Sequence, residues 1–144
     1  MTQREMTQLG TAPATAAIEA AAAAARSIGV AVSIAVVDAG GNLVAFLRMD
    51  GAEIAGPTLA VDKAYTAVAN RISTAELAEQ AAPGGPLFGL HACGGGRFVI
   101  FGGGVPVRAG GAVVGAVGVS GAAVDQDARC AEAGRAAAES VLGN

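Results

Sequence analysis

Lys63 is the residue with the clearest chemical potential, because it is the only lysine in a chain that otherwise takes its positive charge from eight arginines. It falls among alanines in a segment that predicts a helix. An amine loses its proton at moderate cost and a guanidinium does not, so a buried lysine suits proton transfer, imine formation or the binding of a carboxylate. The alternative is a structural ion pair, with Asp38 or with the adjacent Asp62.

Tyr65 and Thr66 follow Lys63 closely enough to share its site. On a helix, a residue three positions on lies on the same face, whereas a residue two positions on points about 200° away. Thr66 is therefore the better hydroxyl for a pocket around Lys63, and Tyr65 is the better residue for a subunit contact. Ordinary packing is the alternative for both side chains.

Asp38 and His91 are the other titratable residues in suitable positions. Asp38 ends an apolar strand before Gly-Gly, where it can serve a pocket or simply accept hydrogen bonds within a turn. His91 is the only histidine, and imidazole can act as an acid, a base or a ligand near neutral pH. Cys93 lies two positions on. One histidine without a ligand cluster does not indicate a metal site, so no bound metal ion is expected.

The glycine run Gly102, Gly103, Gly104 is neither a Walker loop nor a dinucleotide fingerprint, because the GK[ST] ending and the GxGxxG spacing are both missing. Backbone N–H groups without side chains beside them can still hold a carboxylate. The predicted ligand-binding set consists of these three glycines together with Asp38, Lys63, Tyr65, Thr66 and His91.

Composition narrows the class of protein. Hydrophobic residues make up 53% of the chain and charged residues 15%, which excludes a disordered protein. A net charge of −3, with scattered arginines, gives no basic stripe for nucleic acid. No apolar leader or membrane span is recognised, so we expect a cytoplasmic protein with no membrane partner. Aromatic residues, at 3%, leave an alanine-rich core that buries little area per side chain, which favours a homo-oligomer.

The pattern of apolar residues and turn signals predicts one domain over residues 11–144 after a flexible N-terminus, 1–10. Capping signals support two of its helices, since Pro57 opens one and the Ser73–Glu76 pair starts another. The predicted elements are helix 11–27, strands 32–37 and 43–49, helices 57–70 and 73–82, strands 97–101, 105–108 and 112–120, and helix 124–142. This order, α-ββ-αα-βββ-α, joins strands by hairpins and therefore predicts an α+β fold with helices on an antiparallel sheet.

Five stretches carry a family resemblance: SIAVVDAGGNLVAFLRMDG at 33–51, DKAYTA at 62–67, PGGPLFGL at 83–90, FVIFGGGVPV at 98–107 and VGAVGVSG at 114–121. In this order they resemble the GlcG/HbpS-like family of heme-binding and glycolate-operon proteins. That family also forms the C-terminal domain of PduO-type cobalamin adenosyltransferases. The resemblance covers about residues 11–142 and implies a profilin-like α+β fold and homo-oligomers.

The resemblance also implies functions, and each function requires residues that can be looked for in this sequence. Some family members bind heme through a histidine of the N-terminal helix, yet residues 11–27 contain no histidine, so heme would bind weakly or through His91. We expect a small oligomeric protein that holds an anionic small molecule, with heme as a special case, in a pocket around Lys63. The alternatives are an isomerase, deaminase or hydrolase that uses Lys63 or His91 for acid-base chemistry, and an oligomeric scaffold without a ligand.

Overall fold

A computed structural model describes residues 8–143 of the protein. Its elements are α1 (Thr11–Ser27), β1 (Ser33–Asp38), β2 (Leu43–Arg48), α2 (Gly56–Asn70), α3 (Thr74–Ala81), two 3-10 turns (Leu90–Ala92 and Gly94–Gly96), β3 (Gly104–Ala109), β4 (Ala112–Ser120) and α4 (Val124–Val141). Local signals account for two helix starts. Pro57 lies in the first turn of α2, and the Ser73 hydroxyl accepts a hydrogen bond from the Glu76 N–H at the start of α3, as predicted.

The four strands form one sheet in the order β2-β1-β4-β3, with every neighbouring pair antiparallel. The predicted α+β fold with an antiparallel sheet is thus confirmed. The strand predicted over 97–101 is wrong, since no strand is assigned there. A strand needs a ladder partner, whereas the Val99 N–H donates to the side-chain oxygen of Thr66 in α2. The described order is therefore α-ββ-αα-ββ-α.

Helices cover both faces of the sheet, and the side chains of β1 show how. Alternate residues of a strand point to opposite faces. Ile34 and Val36 pack in the core beneath α1 and α4, whereas Ala35 and Val37 pack with the alanines of α2. The central strand is consequently buried on both sides, which explains why its sequence is a continuous apolar run.

Glycines let these layers approach closely. A Cβ atom on Gly118 of β4 would lie 2.0 Å from the Ala60 carbonyl oxygen of α2. One on Gly134 of α4 would lie 3.0 Å from the Ala17 carbonyl oxygen of α1. These two glycines therefore allow the helices to pack closely on the sheet and on each other.

The N-terminal segment that the sequence predicts to be flexible, 1–10, falls mostly outside the described residues. For residues 1–7 the prediction stays a prediction. Leu9 belongs to the packed domain, because its side chain is buried and its N–H donates to the Val114 carbonyl at 3.1 Å.

Exposed apolar side chains gather at one edge of the sheet. Among residues 8–143, strand β2 has no strand neighbour on its outer side. It exposes Leu43, Phe46 and Leu47, and Ile54 in the loop that follows is 91% exposed. None of the helices within residues 8–143 has the length and apolar character needed to cross a bilayer.

Candidate functional site

Lys63 lies on the face of α2 that packs on the sheet, and its ammonium group is buried. Its Nζ donates to the Val119 carbonyl oxygen at 2.9 Å and to Asp127 Oδ2 at 3.1 Å. The Lys63 and Asp127 side chains are 1% and 3% exposed. The Phe101 ring lies over the ammonium, with its centroid 5.1 Å from Nζ. The cation is therefore enclosed by a carboxylate, a carbonyl and an aromatic face.

Asp127 is the functional-site residue that sequence reasoning missed. It lies in the first turn of α4, where a carboxylate also interacts favourably with the positive end of the helix dipole. Its Oδ1 accepts a hydrogen bond from the Ala122 N–H at 2.9 Å, so one carboxylate fixes both Lys63 and the loop before α4. The partners expected for Lys63, Asp38 and Asp62, were wrong, because a contact spanning 64 positions leaves no local pattern in the sequence.

Burial and pairing act in opposite directions on the charges of these two residues. Desolvation lowers the pKa of Lys63, and the nearby Asp127 carboxylate offsets part of that lowering. Desolvation raises the pKa of Asp127, and Lys63 offsets part of that rise. Each charge is thus costly alone and is stabilised by the other, so the pair titrates as one coupled unit.

Gly103 and Gly104 form a wall of the Lys63 site, whereas a Cβ atom on Gly102 would meet Val124 of α4. Gly103 has φ +129°, and a Cβ atom there would lie 2.7 Å from Lys63 Nζ. A Cβ atom on Gly104 would lie 2.3 Å from the Lys63 carbonyl oxygen. The Gly104 N–H donates to the hydroxyl of Thr74 at 2.9 Å, and is therefore already used. Close approach accounts for two of these glycines, and the carboxylate cradle stays a prediction.

Thr66 is buried one turn beyond Lys63, on the face predicted for it. Its hydroxyl donates to the Asp62 carbonyl at 2.6 Å and accepts from the Val99 N–H at 3.0 Å. The hydroxyl therefore holds residues 97–101 against α2.

Tyr65 lies half-buried in a second cluster. The Arg97 guanidinium sits 3.7 Å from the centroid of the Tyr65 ring, and Phe98 stacks on the same residue with ring centroids 6.1 Å apart. Asp62 Oδ1 accepts from Arg97 Nε at 2.9 Å, which holds the guanidinium in place. Tyr65 thus belongs to a partly exposed aromatic stack rather than to the Lys63 site.

The Asp38 side chain accepts the backbone hydrogen bonds that are expected of an aspartate in a turn. Its Oδ1 accepts from the N–H groups of Gly40 and Asn42, each at 3.0 Å. A Cβ atom on neighbouring Gly41 would lie 2.9 Å from the Tyr65 ring, which puts this turn beside the aromatic cluster. The described hydrogen bonds of Asp38 join it to its own turn.

His91 and Cys93 lie on what we call the exposed segment, residues 87–96. Both residues are exposed, as are the apolar side chains of Leu87 (39%) and Phe88 (64%). The structure therefore distributes the predicted set over three places. Lys63 lies with Gly103 and Gly104, and Thr66 lies one turn further along α2. Tyr65 lies beside the Asp38 turn, and His91 lies on the exposed segment.

Three surface clefts are described, and Lys63 lines none of the three. One lies beside Arg26 and Arg48, and the other two share Arg71 and Arg108. In the described part of the chain, no three His, Cys, Asp or Glu side chains are grouped to hold a metal ion.

Comparison with known proteins gives consistent matches. The model of a family described as "Haem degrading protein HbpS-like" matches residues 9–136. An uncharacterized 15.0 kDa protein from the dhaT-dhaS intergenic region of Citrobacter freundii is 46% identical over 114 residues, which are 79% of this chain and 80% of that protein. The corrinoid adenosyltransferase PduO of Citrobacter freundii is 40% identical over 118 residues, which are 82% of this chain and 35% of PduO. The chain thus corresponds to about a third of PduO.

Solved structures share the fold along nearly the whole chain. The crystal structure of HbpS has a TM-score of 0.85 at 41% identity and covers 100% of this chain and 95% of its own. The crystal structure of a PduOC–heme complex has a TM-score of 0.86 at 35% identity and covers 90% of this chain and 94% of its own.

Proposed function

Because this chain belongs to the HbpS-like family, we propose that it is a small heme-binding protein that holds the iron through His91. The relative crystallised as PduOC is a heme complex, which supports a tetrapyrrole as the ligand class. Binding to this chain then requires residues that can supply an iron ligand and an apolar surface.

The observation that carries the proposal is the composition of the exposed segment. Histidine is among the side chains that bind heme iron, and a porphyrin presents a broad apolar face. His91 is the only histidine of the chain, and it is exposed. Leu87, Phe88 and Cys93 are exposed on the same segment. These residues fit heme by donor chemistry and by apolar surface, and bound heme would supply an iron centre that accepts an axial ligand.

Hemin titration tests the proposal. The wild-type chain should develop a Soret band, and His91→Ala should lose most of it because no second imidazole is present. Cys93→Ser is the matched control, since Cys93 is exposed two positions away, and it should keep the band. No band in the wild type, or a band unchanged in His91→Ala, would contradict the proposal.

The proposal includes assembly of the chain into a homo-oligomer. Within residues 8–143, β2 is an edge strand that exposes Leu43, Phe46 and Leu47, and exposed edges of this kind favour pairing with another chain. Light scattering should give a mass at least twice the 13.8 kDa of the chain. A monomeric mass would contradict this part of the proposal.

A second candidate function, acid-base catalysis on an anionic substrate at Lys63, is favoured by the buried pair with Asp127. Burial lowers the pKa of Lys63 and raises that of Asp127, which brings the two proton affinities closer. Groups perturbed in this way are frequent in active sites. The Phe101 ring lies over the ammonium and is 40% exposed, so an anion would approach Lys63 beside this ring.

The single lysine allows a direct test of this second function. Labelling lysine with carbon-13 gives one side-chain signal, and its pH titration should show a pKa below the ordinary value of 10.5. Addition of acetate should shift that signal, and Phe101→Ala should increase the shift by opening the approach. If acetate leaves the signal unmoved in both chains, the anion-binding pocket around Lys63 is wrong.

A further inference from the structure

Residues 97–101, which we call the strap, run beside α2 without joining the sheet. Within residues 8–143, no hydrogen bond between backbone groups is described for residues 98–102. Parts of a protein that lack a backbone ladder and bury few apolar side chains open at a lower cost than the core does. One strap residue, Val99, is buried, and the other four are partly or fully exposed. The strap therefore has the properties of a segment that opens locally.

Two side chains of α2 hold the strap in place through hydrogen bonds. The Thr66 hydroxyl accepts from the Val99 N–H at 3.0 Å. Asp62 Oδ1 accepts from Arg97 Nε at 2.9 Å, and both of these side chains are partly exposed. Each of these attachments can be removed by a single substitution.

The last residue of the strap covers the single lysine of the chain. The Phe101 ring lies over Lys63 Nζ, with its centroid 5.1 Å away. The hydrogen-bond partners of the ammonium, the Val119 carbonyl and the Asp127 carboxylate, belong to β4 and α4. Phe101 is thus the part of the enclosure that can move without disturbing the sheet or a helix.

The two ends of the strap are held differently. After the strap, the Gly103 carbonyl accepts from the Val119 N–H at 2.8 Å, and the Gly104 N–H donates to Thr74 at 2.9 Å. Before the strap, the glycines at 94–96 are exposed, and each has a positive φ. Hinge residues absorb large changes in φ and ψ, which glycine does most readily. One end is therefore fixed, and the other leads into a segment that can follow a movement.

We propose that the strap is a gate, which swings away from α2 about its fixed end at Gly103 and exposes the Lys63 ammonium to small molecules. The gate gives the second candidate function a route to its lysine, and its importance for an anionic substrate rests on that function. Opening itself requires no ligand.

Amide hydrogen exchange of the full chain tests the opening. The Val99 N–H is released when the strap opens, whereas the Val36 N–H of the central strand is released when the sheet unfolds. Val99 should therefore be protected at least about tenfold less than Val36, and low concentrations of urea should accelerate the exchange of Val36 but not that of Val99.

Acetic anhydride tests whether this opening reaches Lys63. The neutral amine takes one acetyl group and releases acetate and a proton, and peptide mass spectrometry separates this product from the acetylated N-terminus. Thr66→Val removes one attachment and should raise the acetylation rate of Lys63 about tenfold, as expected for one lost hydrogen bond. Thr58→Val, an exposed change on the same helix, is the matched control and should react like the wild type.

Arg97→Ala is a second variant, because the Arg97 side chain is 41% exposed and its removal spares the core. It should raise both Val99 exchange and Lys63 acetylation by about threefold. The proposal is overturned if Val99 exchanges only as slowly as Val36, or if neither variant is acetylated faster than Thr58→Val.

It is also overturned if Val36 exchange accelerates as much as acetylation, since unfolding of the whole domain then explains the reactivity. A chain that opens in this way but whose lysine signal does not respond to acetate contradicts the second candidate function and leaves the gate intact.

Discussion

Two runs of three glycines, Gly94–Gly96 and Gly102–Gly104, are alike in sequence and opposite in environment. The first run is exposed, each of its residues has a positive φ, and a Cβ atom on Gly95 would meet no atom within 4 Å. The second run is buried, and a Cβ atom on Gly104 would lie 2.3 Å from the Lys63 carbonyl oxygen. Glycine serves turn conformation in one place and close approach in the other.

The same contrast separates the reactive side chains beside each run. Lys63, beside the buried run, has internal partners in Val119 and Asp127. His91, beside the exposed run, lies on the surface with apolar neighbours that are also exposed. A buried, paired group mainly sets stability, whereas an exposed donor can reach a ligand, so the two regions should respond differently to substitution.

The largest effect is expected from Lys63→Met. The change leaves the Asp127 carboxylate buried without its cation, and breaking a buried pair in this way costs about 3–5 kcal/mol. Urea denaturation should show that loss in the free energy of unfolding. The double variant Lys63→Met/Asp127→Asn should recover most of it, because the amide oxygen still accepts from Ala122 and no lone charge remains. A single-variant loss under about 1 kcal/mol would mean that the pair contributes little.

Alanine in the two glycine runs should give the next largest difference. Gly104→Ala forces a Cβ atom against the backbone of α2, and overpacking of this kind costs about 3 kcal/mol. Gly95→Ala has open space and only the left-handed backbone to oppose it, which costs about 1 kcal/mol. Denaturation of both variants checks this. Equal losses would show that environment does not distinguish the two runs.

Local features of the molecule could be predicted from the sequence. Helix α1, the two hairpins and the Ser73 cap depend on residues close together in the chain, and the structure has them. Asp38 follows the same rule, since the turn contacts weighed for it are the ones it makes.

Long-range features could not be predicted in the same way. The Lys63–Asp127 pair and the hydrogen bond that the Val99 N–H donates to the Thr66 hydroxyl each join segments far apart in sequence. The second of these explains the false strand at 97–101, because an apolar β-branched run is the same pattern whether it joins a ladder or packs on a helix. The carboxylate for Lys63 had no local signal for the same reason.

Asp127→Asn should make the stability of the protein depend more strongly on pH than it does in the wild type. Burial lowers the pKa of Lys63 from 10.5 and the carboxylate offsets this, so its removal lowers that pKa further. Between the lowered folded pKa and 10.5 the unfolded chain binds more protons than the folded chain, and stability therefore rises with pH.

Denaturation of Asp127→Asn at a series of pH values checks this. The deficit relative to the wild type should shrink as the pH rises toward 10.5, by about 1.4 kcal/mol for each further unit by which the pKa of Lys63 is lowered. Asp125→Asn, an exposed change in the same turn, is the control and should show no such trend. A deficit that stays constant with pH would show that the ammonium is not buried.

The smallest effect on stability is expected from His91→Ala, and it completes the contrast. An exposed side chain with no described partner should change the free energy of unfolding by less than about 0.5 kcal/mol. The same substitution should remove the hemin spectrum, whereas Lys63→Met, measured below its melting temperature, should keep it. If the two regions are independent, Lys63→Met should lower stability without loss of hemin binding. His91→Ala should remove hemin binding without loss of stability. If Lys63→Met also abolished the hemin spectrum while folded, the buried site would take part in ligand binding, and the predicted pocket around Lys63 would become the better explanation.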